Sequence, residues 1–162
     1  MKPIKAVGIQ YAALPYLIDG PQVRVLLITS RETRRWVIPK GWPMSGLKPQ
    51  EAAAAEAAEE AGIIGEVEPT PIGSYRYLKQ IKGKPGVAVQ VIVFPFHVDD
   101  YHETWKEQGQ RGYEWFRYQA AARRVAEPSL KRLIQEFGAA RTPTLLAKSL
   151  RRYRTWRIAR AH

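Results

Sequence analysis

The chain has 162 residues, with 26 lysines and arginines against 15 aspartates and glutamates, which gives a net charge of +11. This length fits one domain with a hydrophobic core. The absence of cysteine excludes disulfides and thiolate chemistry, and no apolar run is long enough to span a bilayer. The first residues lead directly into strand-like sequence rather than into a signal peptide, so we predict a cytoplasmic protein without membrane contact.

The first third of the chain predicts three strands. Residues 6–18 alternate loosely between apolar and polar side chains, and residues 22–30 form an apolar run typical of a buried strand. The sequence Asp19-Gly20-Pro21 between them indicates a turn. Residues 36–39 predict a further short strand that leads into a glycine-containing loop.

A helix is predicted to follow that loop, from Pro49 to the residue before Gly62, because proline suits a first turn, alanines favour helix and glycine suits the end. Residues three and four apart share a helix face, so Glu56, Glu59 and Glu60 point in one direction. Neighbouring carboxylates repel one another unless a cation lies between them, and Mg²⁺ takes such oxygen ligands and bridges to substrate phosphates. The alternative is a solvated face, which is the commoner role of glutamates on an alanine-rich helix.

The second half of the chain predicts further strands and a second helix. Residues 72–81 and 87–98 are strand-like, and the segment 82–86 between them is typical of a hairpin connector. Residues 114–118 predict another strand, and residues 129–137 have the apolar spacing of an amphipathic helix. This order of elements predicts an α/β protein with helices on both faces of a mixed sheet.

We divide the chain into a domain, residues 1–138, and a basic C-terminal tail, residues 139–162. The tail contains seven basic residues and no acidic ones, and its apolar residues fall at helical spacing. A helix packed on the domain or on a second subunit is our main interpretation, and the second case would make the protein a homodimer. The alternative is a basic arm that binds nucleic-acid phosphates.

The predicted helix and the loop before it resemble the Nudix box, whose pattern is Gly, five residues, Glu, seven residues, and then Arg-Glu-apolar-any-Glu-Glu-any-Gly-apolar. Gly41 matches the first glycine, the three helix glutamates match those of the second half, and Gly62 and Ile63 close the box. Two positions depart from the pattern, since Leu47 stands at the first glutamate and Ala55 at the arginine. Because both polar groups are missing, neither is left as a single unpaired charge. Their absence does remove interactions that would support a metal site.

The resemblance implies the Nudix fold, an α/β/α sandwich around a mixed sheet, up to about residue 137. It also implies metal-dependent hydrolysis of a phosphoanhydride bond in a diphosphate-containing substrate, with Mg²⁺ or Mn²⁺ as the cofactor. The segments before the box and around Glu114-Trp115-Phe116 look like those of the branch that acts on diphosphoinositol polyphosphates and dinucleoside polyphosphates. Nucleoside diphosphate derivatives are a third substrate class that the resemblance allows.

The resemblance also assigns roles to individual residues. The metal ligands would be three carboxylates and a carbonyl of the preceding loop: Glu56, Glu59, Glu60 and Gly41. The catalytic residues would be three carboxylates, the last of them in a late loop beside Trp105: Glu59, Glu60 and Glu107. The substrate-binding residues would be three cations for the phosphates and one aromatic side chain for a base or ring: Arg31, Lys40, Arg111 and Trp42.

Two other functions stay open beside the hydrolase. A Nudix-like domain that lacks the box arginine could bind a phosphorylated ligand without turnover. An RNA-related protein could hydrolyse a 5′ pyrophosphate or bind RNA through its basic tail.

Overall fold

A computed structural model describes residues 8–143 of the chain, which form eight strands and three helices. The strands are β1 (Gly8–Asp19), β2 (Gln22–Thr29), β3 (Trp36–Val37), β4 (Lys40–Gly41), β5 (Ile63–Val67), β6 (Gly73–Ile81), β7 (Lys84–Tyr101) and β8 (Tyr113–Arg117). The helices are α1 (Pro49–Ala61), α2 (Tyr118–Arg124) and α3 (Pro128–Arg141).

The strands form one mixed sheet, whose central path runs β3-β2-β1-β7-β5. β1 and β7 are parallel, from Gly8 opposite Val89 to Tyr16 opposite His97, and the other pairings are antiparallel. β7 is long enough, at 18 residues, to pair with β1, β5 and β6 along its length. The hairpin formed by β6 and β7 therefore extends from the centre of the sheet.

Each face of the sheet carries a hydrophobic cluster covered by helix. Because successive strand residues point to opposite faces, Leu14 and Tyr16 of β1 join the cluster that contains Ile134 of α3. Ala13 lies in the other cluster, with Ala57 of α1. The α/β/α sandwich expected from the sequence is confirmed, with α1 on one face and α2 and α3 on the other.

α1 begins at Pro49 and ends before Gly62, as predicted. Its buried residues are all alanines, Ala52, Ala53, Ala57 and Ala61, so the helix backbone lies close to the sheet. Gly62 has a φ of 67°, in the left-handed region that favours glycine at a helix end, and its N–H donates to the carbonyl of Ala58.

Other predicted elements are confirmed with shifted ends, and three elements were missed. The hairpin turn is tighter than expected, because β7 already begins at Lys84. The missed elements are β4, β5 and α2, which are short, and the pairing of β5 with β7 shifts register between Ile64 and Gly65. No helix within residues 8–143 is long and apolar enough to cross a membrane.

The predicted boundary at residue 138 falls inside α3, which continues to Arg141. Arg141 belongs to the predicted tail by number, but it packs on the domain through an ion pair with Glu68. The rest of the tail prediction, from residue 144 onward, lies outside the described residues.

Candidate functional site

A cavity of about 720 Å³ opens beside the second half of α1. Its walls come from α1, from the segment around β4, from β6 and the hairpin turn, and from the loop between β7 and β8. Eight of the nine residues assigned from the sequence line this cavity: Arg31, Lys40, Gly41, Trp42, Glu56, Glu60, Glu107 and Arg111. The structure thus brings together residues that lie up to 80 positions apart in the sequence.

Gly41 lies directly against Glu56. A methyl group added at Gly41 would lie 2.0 Å from Oε1 of Glu56, so only glycine allows β4 and the carboxylate to come this close. Burial raises the pKa of Glu56, and the charge of Glu59 adds to that increase. A hydrogen bond from Glu60 to Glu56 opposes part of the increase.

Glu60 is the more strongly perturbed of the two carboxylates. Burial raises its pKa from 4.5 to about 8, although the neighbouring charges of Arg111 and Lys40 act in the opposite direction. A carboxylic acid with this pKa still holds its proton at neutral pH in the metal-free protein. Glu56 and Glu60 therefore form a partly buried acidic pair, linked by a hydrogen bond, in which burial disfavours the charged forms.

Lys40 lies across the cavity from this pair, on β4. Burial lowers the pKa of Lys40, and the nearby charges of Glu60 and Glu127 counteract that decrease. The ammonium lies 5.0 Å from the ring centroid of Tyr77, which is a cation–π contact. The lysine is thus held in the cavity wall, beside Tyr77 and near Glu60.

The loop between β7 and β8 is docked on the C-terminal end of α1. The N–H of Glu107 donates to the carbonyl of Glu59 over 3.0 Å. A methyl group at Gly62 would lie 2.3 Å from Cδ2 of Trp105, so the indole packs against the glycine that ends the helix. These two contacts fix the position of the charged residues that this loop carries.

Arg111 is the central cation of the loop, and its side chain is only 11 % exposed. Its Nε donates to Glu107 over 3.0 Å, its Nη1 donates to the carbonyl of Thr29 over 3.1 Å, and its Nη2 lies 3.6 Å from Oε1 of Glu60. The predicted phosphate-binding arginine is therefore largely occupied by protein partners. Its geometry suits a residue that positions Glu60 and Glu107.

Glu107 is held between two arginines. Oε2 accepts from Arg111, and Oε1 lies 3.0 Å from Nη1 of Arg31. Only 13 % of the Glu107 side chain is exposed, whereas that of Arg31 is 54 % exposed. Arg31 is thus anchored at one end and accessible at the cavity mouth, as a residue that binds phosphate from solvent would be.

Glu59 is the one assigned residue that does not line the cavity. Its side chain is 40 % exposed and its Oε2 lies 3.7 Å from Nζ of Lys106. Within residues 8–143, no group of three or more His, Cys, Asp or Glu is arranged to hold a metal ion. The three carboxylates expected to converge are therefore present as a buried pair and a third that points outward.

The buried pair nevertheless fits Mg²⁺. Both partners offer carboxylate oxygens, which are the ligands that Mg²⁺ prefers, and Mg²⁺ is commonly bound by only one or two carboxylates together with substrate phosphates. Burial raises the pKa values of Glu56 and Glu60 despite the nearby cations, and a divalent cation bound to their oxygens would favour the charged forms.

The two positions that depart from the box lie on the same helix and loop. Leu47 is 41 % exposed, so no buried polar partner is left unpaired by the missing glutamate. Ala55 lies one helical turn before Glu59, and Lys106 is the cation that Glu59 contacts instead. Two cations of the loop between β7 and β8 thus lie beside the helix carboxylates, Lys106 beside Glu59 and Arg111 beside Glu60.

Sequence reasoning missed other residues of the cavity wall. Glu127 precedes α3 on the opposite layer, and nothing in its local sequence indicates that it reaches the site. Tyr77 and Gln10 also line the cavity and are hydrogen-bonded to each other, Tyr77 Oη donating to Gln10 over 2.7 Å. The alternation of β6 could have shown that Tyr77 shares a face with Tyr75, but not which surface they would meet.

The family model of the NUDIX domain matches residues 10–137, which is most of the chain. The chain belongs to the Nudix family. The match includes the acidic helix, the loop before it and the loop between β7 and β8, so the cavity lies within the conserved domain of the family.

Two Arabidopsis thaliana proteins are similar in sequence. Nudix hydrolase 18, mitochondrial, is 33 % identical over 101 residues, which are 62 % of this chain and 54 % of the relative. Nudix hydrolase 17, mitochondrial, is 34 % identical over 95 residues, which are 58 % of this chain and 50 % of the relative. The chain thus spans about half the length of these relatives.

The fold is also similar to a solved structure, the binary complex of a C. elegans Ap4A hydrolase. The two share a TM-score of 0.60 and 20 % sequence identity, over 82 % of this chain and 96 % of that one. At this identity the similarity shows the fold alone.

Proposed function

We propose that this protein is a divalent-metal-dependent pyrophosphohydrolase that cleaves a phosphoanhydride bond in a diphosphate-containing substrate. The observation that carries the proposal is the buried pair Glu56 and Glu60, which faces a cavity whose other charged walls are largely cationic. Nucleoside diphosphate derivatives, dinucleoside polyphosphates and diphosphoinositol polyphosphates all contain such a bond. Membership of the Nudix family supports the same chemistry.

Glu56 and Glu60 would hold Mg²⁺, or Mn²⁺ in its place, with the carbonyl of Gly41 as a further ligand. Glu59 would complete the set by turning away from Lys106, which it contacts at 3.7 Å across an exposed surface. When bound, the metal would supply Lewis-acid stabilisation of the charge that develops on the phosphates and would activate a water.

The remaining assigned residues would either bind the substrate or position other side chains of the site. Arg31 and Lys40 would bind phosphate oxygens, one from the cavity mouth and one from its inner end. Arg111 would position Glu60 and Glu107 through its contacts with both. Glu60, which lines the cavity, would accept the proton of the attacking water. Glu107 contacts Arg31 and Arg111 and would orient these two arginines.

Binding of a phosphorylated ligand without turnover is the second candidate function. It is favoured by the outward position of Glu59, which leaves two of the three carboxylates expected to bind metal at the cavity. The RNA-related function rests on the tail beyond residue 143, outside the described residues. Nucleic-acid binding, a homodimer and a cytoplasmic location also stay predictions, and the two relatives described above carry the word mitochondrial in their names.

The experiment is phosphoanhydride cleavage of ADP-ribose, diadenosine tetraphosphate and a diphosphoinositol polyphosphate, with and without Mg²⁺, followed by anion-exchange separation of the phosphorylated products. We expect Mg²⁺-dependent turnover of at least one substrate. Glu60→Gln should lower kcat/KM by about 100-fold or more, because the variant loses a metal-binding carboxylate and the proton acceptor together. Glu136→Gln, which changes an exposed helix glutamate outside the cavity, is the matched control and should retain activity.

Calorimetry separates the hydrolase from the binding domain. Mg²⁺ uptake with turnover supports the hydrolase, whereas ligand binding without turnover under any metal supports the second candidate. If neither Mg²⁺ nor Mn²⁺ binds in the presence or absence of a polyphosphate, both the metal site and the hydrolase are wrong.

A further inference from the structure

The surface where α2 ends and α3 begins is strongly basic. Residues 123–132 contain four cations, Arg123, Arg124, Lys131 and Arg132, and one acid, Glu127. The three arginines are exposed, and none of the four cations lines the cavity, whereas Glu127 does. We refer to these four cations as the basic corner, a feature separate from the candidate active site.

Contacts between neighbouring elements hold the basic corner together. Nζ of Lys131 donates to the carbonyls of Ala122 and Arg123, over 3.4 Å in each case, so the start of α3 lies against the end of α2. The guanidinium carbon of Arg124 lies 5.5 Å from the ring centroid of Phe116, which is a cation–π contact with the end of β8. The cations thus come from two helices that cover the same face of the sheet.

The needs of the fold do not account for the three arginines. Cations near the last turn of a helix interact with its dipole, but Lys131 already contacts the final carbonyls of α2. Within residues 8–143, Arg123, Arg124 and Arg132 form no ion pair with an acidic side chain. Residues 1–7 and 144–162 contain no aspartate or glutamate that could neutralise them. An anion from outside the chain would therefore find uncompensated positive charge at this corner.

The surface around the basic corner indicates what kind of anion fits. In the described part of the chain from residue 117 to residue 143, no large hydrophobic side chain is exposed. Helices that lie on a membrane surface insert apolar side chains beside their basic ones, and single-stranded nucleic acids stack their bases on aromatic side chains. A double helix needs neither, because its bases are stacked inside and its phosphates face outward. Arginine binds such phosphates bidentately.

We propose that the basic corner binds the phosphate backbone of a double-helical nucleic acid, independently of its sequence. The contacts would be those of Arg123, Arg124 and Arg132 with successive phosphates, and no base would be read. This inference does not rest on the proposed hydrolase function, because none of these residues lines the cavity.

The test measures binding of the full-length protein to a fluorescently labelled duplex of mixed sequence by anisotropy, from about 50 to about 200 mM salt. The duplex is used as DNA and as RNA, which share the backbone phosphates, and the tighter complex identifies the source. We expect Arg123→Gln/Arg132→Gln to bind about 10- to 100-fold more weakly at the lowest salt. It should also reduce the slope of log affinity against log salt by about two, since each phosphate contact contributes about 0.9. Adding Arg124→Gln should reduce the slope by about one more.

Arg24→Gln/Arg76→Gln is the control matched in charge. Val23 and Tyr75 belong to the cluster under α2 and α3, so the next residue of each strand, Arg24 and Arg76, points to the opposite face of the sheet. This control should keep the affinity and salt slope of the wild-type protein. Equal losses in the two double variants would show that only net charge matters, and would overturn the inference.

A charge-preserving variant separates phosphate contact from damage to the fold. Arg123→Lys/Arg132→Lys keeps both charges, so its salt slope should stay near that of wild type while its affinity falls by less than in the glutamine variant. A slope reduced as far as in the glutamine variant would mean that the substitutions act through the structure. The proposal is also wrong if the wild-type protein does not bind the duplex at the lowest salt. Tighter binding to the single strands, or to vesicles of phosphatidylglycerol and phosphatidylcholine, would contradict it as well.

Discussion

Two of the glutamate–arginine ion pairs in this protein lie in different surroundings. Glu68 and Arg141 form a double hydrogen bond, over 2.8 and 2.5 Å, and about a third of each side chain is exposed. Glu60 and Arg111 lie 3.6 Å apart at their closest, and each is only 11 % exposed. The hydrogen bonds from Arg141 lower the pKa of Glu68, whereas burial raises that of Glu60 to about 8.

The difference shows that an ion pair stabilises the charge of a carboxylate only when it offers enough hydrogen bonds to offset burial. Glu68 accepts from Arg141 and from the hydroxyl of Tyr16, so its charged form is well stabilised near the surface. Glu60 has lost its hydration but shares Arg111 with Glu107. A carboxylate that has little hydration and shares its arginine is suited to bind a cation, which is the property expected of a metal site.

Replacing Arg111 or Arg141 by alanine should give the largest difference in kcat/KM between the two ion pairs. Arg111→Ala should lower kcat/KM by about 10- to 100-fold, because a residue that orients metal-binding carboxylates is lost. Arg141→Ala should leave kcat/KM near that of wild type, since Arg141 does not line the cavity. Steady-state kinetics across a Mg²⁺ titration measures both, and the loss in Arg111→Ala should be partly relieved at high Mg²⁺.

Arg111→Lys is the control that distinguishes positioning from simple charge. Lysine keeps the positive charge but cannot contact Glu107, Glu60 and the carbonyl of Thr29 together. We therefore expect an intermediate loss of activity. If Arg111→Lys is fully active, Arg111 acts only as a local positive charge, and equal losses in Arg111→Ala and Arg141→Ala would contradict the contrast altogether.

The next largest difference, between Glu60 and Glu68, should be in how the stability of the protein depends on pH. Glu60 has a raised pKa of about 8 when folded and an ordinary one of 4.5 when unfolded, so between these values the folded state holds the extra proton. The free energy of unfolding of the metal-free protein should therefore fall as pH rises from about 4.5 to about 8, by up to about 1 kcal/mol per pH unit. Glu60→Gln should reduce this slope to the part that Glu56 contributes, and Mg²⁺ should raise stability most at the alkaline end.

Urea denaturation in EDTA at several pH values measures this slope. The informative quantity is the difference between wild type and Glu60→Gln, because titrating groups distant from Glu60 contribute equally to both. Parallel profiles for the two proteins would mean that Glu60 titrates normally in the folded state.

The sequence was sufficient for the parts of this site that follow from local spacing. The placement of Glu56 and Glu60 on one helix face needs only the helical repeat, and Pro49 and Gly62 mark where that helix begins and ends. The close contact of Gly41 with Glu56 is consistent with the glycine of the Nudix box, although the sequence alone does not show which atom occupies the space.

Partners that depend on how a loop docks were beyond the sequence. Arg111 was predicted to bind phosphate, and helix spacing could not show that packing of Trp105 on Gly62 also brings it into contact with Glu107 and Glu60. The outward position of Glu59 has the same origin, because the loop brings Lys106 to it. Such contacts arise from long-range packing, which helix spacing does not encode.

The smallest expected effect belongs to Glu68. Exposed ion pairs contribute about 0 to 1 kcal/mol, so Glu68→Gln should lower the free energy of unfolding by no more than about 1 kcal/mol at neutral pH and leave kcat/KM unchanged. Because the folded pKa of Glu68 lies below its unfolded value of 4.5, the stabilisation is present above about pH 4.5 and is lost as pH falls through the folded pKa. Wild type and Glu68→Gln should therefore converge in acid, and wild type should be the more stable at neutral pH, whereas a rise in pH should make wild type less stable relative to Glu60→Gln. A loss of activity in Glu68→Gln as large as that in Glu60→Gln would show that distance from the cavity does not separate the two pairs.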